Sequence, residues 1–66
     1  MKSSYRGFEI IVTGGDEWSA EIINPQTGKA WSQRPSNPIA EGSDACRKQA
    51  ENLVDAFIAL NGPIAA

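Results

Sequence analysis

Between Ser43 and Gly62 the chain reads SDACRKQAENLVDAFIALNG, and no other stretch limits the possible folds so strongly. Cys46, Ala50, Leu53, Val54, Phe57 and Leu60 recur at spacings of three and four, which places them on one side of an α-helix. Ser43 is the expected N-cap, and Asp44 puts a carboxylate at the positive end of the helix dipole. Asn61-Gly62-Pro63 supplies the stop, since Gly can turn left-handed and Pro cannot continue a helix. Residues 44–61 would form a rod about 27 Å long. A rod with one apolar side has to cover something, and the residues before it read as the surface it covers.

That surface is a run of short strands. Tyr5 to Thr13 alternates, with Phe8, Ile10 and Val12 on one face and Tyr5, Glu9, Ile11 and Thr13 on the other. Gly14-Gly15-Asp16 is a turn, and Glu17 to Asn24 is a second strand carrying Trp18, Ala20 and Ile22 on its core side. A three-residue loop sets Val12 opposite Trp18 and Ile10 opposite Ala20; a loop one residue longer would turn the second strand over. Glu9 then faces Glu21 on the outer side, a modest like-charge cost. Asn24-Pro25-Gln26-Thr27-Gly28 is the clearest turn. A four-residue loop there sets Ile22 opposite Trp31, so that Trp18 and Trp31 share the helix side with Leu53 and Phe57. Lys29 to Arg34 is the third strand, polar enough for an edge. Pro35 and Pro38 end the sheet, and Ile39 to Gly42 is an extended connector whose Ile39 tucks under the helix. The expected architecture is therefore α+β: a three-stranded antiparallel meander (β-β-β-α) with one C-terminal helix packed on one face. With 66 residues it is one domain, 1–66, in which 1–4 form a flexible arm and 63–66 a tail.

So small a chain has no covalent staple, because the single Cys46 has no partner for an internal disulfide, and with no His a metal site is not expected. A lone thiol, a polar N-terminus and no long apolar run indicate a reduced, cytoplasmic setting. The net charge of −2 is the wrong sign for a non-specific polyanion binder.

Catalytic chemistry is hard to assemble from these residues. A Ser or Cys nucleophile lacks its usual base when no His is present, and Cys46 falls on the apolar stripe, where a thiol behaves as a small hydrophobe. Thr27-Gly28-Lys29-Ala30 lacks the upstream Gly and the following Ser/Thr of a phosphate loop and lies in a hairpin. Asp16 and Glu17 are adjacent carboxylates at a turn, an arrangement that is ordinarily just solvated. No catalytic residue and no cofactor is expected, and the chain does not read as an enzyme.

Two resemblances carry further. Tyr5 and Phe8, then Gly14-Gly15-Asp16-Glu17-Trp18-Ser19-Ala20, then Gly42-Ser43 leading into Ala45, Ala50 and Phe57, resemble the small β-β-β-α domains of HicB-type antitoxins. That resemblance implies a truncated ribonuclease H-like layer that binds and blocks a small toxin, commonly as a homodimer. Separately, Arg47-Lys48-Gln49-Ala50-Glu51-Asn52 is similar to the start of the last helix of double-stranded RNA-binding domains, where a cationic run meets phosphates. On that alternative, Arg47 and Lys48, with Lys29 and Arg34, would form a nucleic-acid-binding surface. Glu51 stands where a third cation is needed, which removes much of the counterion-release contribution.

The alternation itself leaves Tyr5, Ile11, Ile23 and Ala30 on the outer face of the sheet among Glu9, Ser19 and Glu21. No second helix precedes the first to cover them, so this face is the expected partner-binding surface, for another protein or for a second copy of the chain. Taken together, the residues point to a non-enzymatic interaction module of bacterial or phage type, antitoxin-like or anti-defence, acting by occluding a partner protein.

Overall fold

Strands consecutive in sequence usually lie side by side, and here each strand neighbours the one before it. A computed structural model describes residues 2–62. The sheet has four antiparallel strands in the order β1 (Lys2–Tyr5), β2 (Phe8–Gly14), β3 (Glu17–Ile23) and β4 (Ser36–Pro38). One turn of 3-10 helix over Ile39–Glu41 leads to α1, Ser43–Asn61, which packs on one face of the sheet. Met1 of the expected arm, Pro63 of the expected stop and the tail at 64–66 lie outside the described residues.

The expected first strand is divided in two. Arg6 and Gly7 take φ of 52° and 90°, the two successive positive values that a tight hairpin turn requires. Residues 2–5 are therefore not a free arm but an edge strand, pairing Tyr5 with Phe8 and Lys2 with Ile11. Directly opposed residues share a face, so Tyr5 lies on the helix side with Phe8, not on the outer face.

The second hairpin keeps the expected facing but slides by two residues: Gly14 faces Trp18, Val12 faces Ala20 and Ile10 faces Ile22. The reason is visible at Gly14, where a Cβ would stand 2.6 Å from the Trp18 ring. The bare glycine lets the indole lie across the strand end. In this register Glu9 faces Ile23 and Glu21 faces Ile11, so the two glutamates do not oppose one another.

The turn at 24–29 forms as its residues demand. Gly28 N–H donates to Asn24 O at 2.8 Å, the Asn24 side chain accepts from Gln26 N–H, and Gly28 takes φ of 71°. Ala30 bridges Ile23 and Trp31 N–H donates to Ile22 O, the register set by a four-residue loop. Regular pairing does not continue to Arg34, however. Ser32–Arg34 leave the sheet, and the chain rejoins β3 two residues out of step, with Pro35 O accepting from Ala20 N–H and Ser36–Pro38 forming β4. The prolines therefore frame the last strand and do not end the sheet. On an edge, an imide nitrogen facing away from the neighbour loses no ladder bond.

The core comes from three elements: Phe8, Ile10 and Val12 of β2, Ala20 and Ile22 of β3, and Cys46, Ala50, Val54 and Ile58 of α1. The buried helix row, Cys46, Ala50, Val54 and Ile58, steps by four and so forms one narrow stripe of α1 turned to the sheet. Leu53 and Phe57 are half-buried beside it, whereas Leu60 is 86% exposed, so the expected single stripe ends differently from its sequence outline. Gly42, with φ of 87°, caps α1, and Ser43 is its first residue and makes no side-chain capping bond. Gly62 ends it as expected, with φ of 82° and its N–H donating to Ile58 O at 2.7 Å. Ile39 does not tuck under the helix. It is exposed, and its carbonyl accepts the Trp18 indole N–H at 3.2 Å. Both tryptophans lie on the helix side, at opposite ends of β3. Trp31 closes an aromatic triangle with Phe8 and Phe57, the ring centroids 5.2–5.6 Å apart.

Candidate interaction surfaces

The outer sheet face retains Ile11, Ile23 and Ala30 of the four residues expected there. Alternation turns both isoleucines outward, and the register sets each opposite a glutamate. Lys2 pairs with Glu9 at 3.3 Å and Arg34 with Glu21 at 3.5 Å, so charged side chains fence the aliphatic ones. Ile11 and Ile23 are half-buried and Ala30 is exposed. This face is a mixed surface in which aliphatic side chains stand opposite charged ones.

Tyr5 belongs instead to a latch between β1 and α1. Its hydroxyl donates to both Asp55 oxygens, at 2.9 and 3.1 Å, and Arg6 Nη1 donates to Asp55 Oδ1 at 2.9 Å. The two donors, Arg6 first, hold the Asp55 carboxyl below the usual carboxylate range. The Tyr5 hydroxyl is pushed above its ordinary value, chiefly by the bond it donates to Asp55.

The four cations of the nucleic-acid alternative come from three separate segments. Arg47 and Lys48 lie near the start of α1, where Arg47 pairs with Asp44 at 3.5 Å. Arg34 pairs with Glu21 of the sheet, and Lys29 sits in the 24–29 turn just past the Ile23 end of β3. Cys46 is fully buried, its thiol against Pro35 O at 3.5 Å, and burial pushes its pKa up. Asp16 and Glu17 stand at the tip of the β2–β3 hairpin, and no three metal-ligating side chains come together among the described residues. No helix among the described residues is long and apolar enough to cross a membrane.

A second surface arises where Ser32–Arg34 leave the sheet. Between this segment and α1 runs a groove of about 520 Å³ bounded by Trp31, Gln33, Leu53, Ala56, Phe57 and Leu60, and no ionisable side chain among the described residues lines it. Past Gln33 and Leu53 it continues into a hollow of about 500 Å³ flanked by Pro35, Gln49, Asn52 and Arg34. Leu53, Ala56, Phe57 and Leu60 fall at i, i+3, i+4 and i+7, a second helix stripe beside the buried row. That spacing was the sequence signal for the groove, hidden because the two stripes overlap in a single apolar arc. No protein-family model matches the chain, no curated protein matches it, and no solved structure matches its fold.

Proposed function

We propose that this chain is a non-enzymatic protein-interaction module, antitoxin-like or of the anti-defence type found in bacteria and phages, that works by occluding a surface of a partner protein. The observation that carries the reading is the uncharged groove along α1. It combines half-buried aromatic rings with an exposed leucine, the composition of an interface centre and not of a solvated wall. The weak resemblance to HicB-type antitoxins agrees with such a role, and the buried free thiol of Cys46 suits a reducing, cytoplasmic setting. Ion pairs cross the outer sheet face and none involves the described residues lining the groove, so the groove is the working surface in this reading.

The test is affinity capture from cells of the native host with the tagged chain, in parallel with Leu60→Glu and the double variant Ile11→Thr/Ile23→Thr. A protein that is retained by the parent and the double variant but lost by Leu60→Glu is the expected result. Retention of nucleic acid that nuclease removes, with no protein remaining, would count decisively for the Arg47/Lys48 alternative instead.

A further inference from the structure

The geometry points to a specific kind of occupant, on the footing of the protein-binding role just proposed: an extended, uncharged, apolar peptide segment of the partner, laid along Ser32–Arg34 with side chains entering the groove. Charge is the first argument. The outer sheet face carries ion pairs at Lys2–Glu9 and Arg34–Glu21, and the β1 turn is tied by Arg6–Asp55, yet nothing ionisable among the described residues lines the main groove. A charged side chain placed there would lose its water and find no counter-charge, so a neutral segment is the electrostatic complement.

The second argument is the backbone. Ser32, Gln33 and Arg34 are exposed, and their main-chain N–H and C=O groups have no partner among the described residues. The segment is nonetheless held at both ends, by Trp31 N–H on Ile22 O at 2.8 Å and by Ala20 N–H on Pro35 O at 2.9 Å. Unpaired backbone that is already anchored offers main-chain hydrogen bonds at little ordering cost. An incoming helix has its own main-chain groups satisfied and would leave these unused; an extended chain would not.

The side chains along the rim agree. Gln33, Gln49 and Asn52 are carboxamides, each able to donate and accept, as a peptide group requires. Two hollows share the Leu53–Gln33 boundary. In an extended chain, residues i and i+2 point the same way about 7 Å apart. Alternate apolar side chains would therefore fill the Trp31–Phe57 hollow and the Leu53–Pro35 hollow in turn.

A displayed library of random linear peptides, selected on the folded protein, tests this. The selected sequences should alternate apolar residues and lack charge. A synthetic copy titrated into nitrogen-15-labelled protein should shift the amides of Ser32–Arg34 together with Leu53, Phe57 and Leu60. Ala56→Glu and Leu60→Glu, both at exposed helix positions, should weaken its Kd about tenfold or more with melting unchanged. Peptides that are charged, that bind as helices, or that shift the β2–β3 outer face overturn the inference while leaving the protein-binding role intact. If no peptide is selected and capture also yields no protein, both fail.

Discussion

Gly14 lies beneath the indole of Trp18, and the space it leaves is smaller than a methyl group: a Cβ would stand 2.6 Å from one ring carbon and 3.1 Å from two others. Gly14→Ala should therefore push the ring away and lower stability by about 1–3 kcal/mol, the range for overpacking. Gly15→Ala, one residue on with open space around it, should stay within about 0.5 kcal/mol of the parent. Thermal melts of the two variants make the comparison; equal losses would show that the glycines serve the turn and not the ring. Asp55 gives a pH-dependent counterpart. Its carboxyl is held low in the folded state, so the stabilisation is present above the ordinary value of about 3.9 and is lost as pH falls through the lower folded value. Tyr5 runs the other way: its raised pKa leaves the contribution present below about 10 and lost as pH climbs through the folded value. Asp55→Asn should flatten both limbs of the stability–pH curve. A variant as acid-sensitive as the parent would show that the latch does not contribute.

Among the elements, α1 is the most legible in the sequence, and still only in part. The periodicity located its residues, and the glycine at 62 located its end. The depth of each position was another matter. Spacing alone cannot say which side of a broad apolar arc meets the sheet, and the side that does buries Ile58 to 8% exposure while leaving Leu60 at 86%. Ile58→Ala should accordingly cost about 2–5 kcal/mol, against no more than about 0.5 for Leu60→Ala. Denaturant titration separates these, and similar losses would mean that both residues belong to one stripe. The strands divide in the same way. β2 and β3 announce themselves by alternation because each buries a face. β1 reads Lys-Ser-Ser-Tyr and β4 Ser-Asn-Pro, and such edge segments carry no hydrophobic pattern to detect. Only Arg6-Gly7 marked the extra hairpin. The groove followed from the same blind spot, since it exists because the chain leaves the sheet at Ser32, and no local residue preference required that departure.

At the scale of the whole molecule, the layered plan of sheet and C-terminal helix was legible because hydrophobic periods decide layers, and small errors of register left the facing unchanged. The candidate surface was not, because it depends on which edge is irregular. One feature of the core carries further: its apolar side chains come from β2, β3 and α1 alone. β1 and β4 are attached by ladder bonds, and β1 also by the Tyr5–Asp55 tie and the half-buried Tyr5 ring. Unzipping either edge therefore breaks ladder bonds and polar ties without withdrawing a fully buried apolar side chain, and the domain should open in steps before it unfolds. Amide hydrogen exchange should rank β2, β3 and the middle of α1 slowest, with β1 and β4 exchanging through cheaper local openings; uniform protection across all four strands would refute that order. A sheet whose margins loosen while its centre holds can admit a neighbour's backbone without surrendering its own fold.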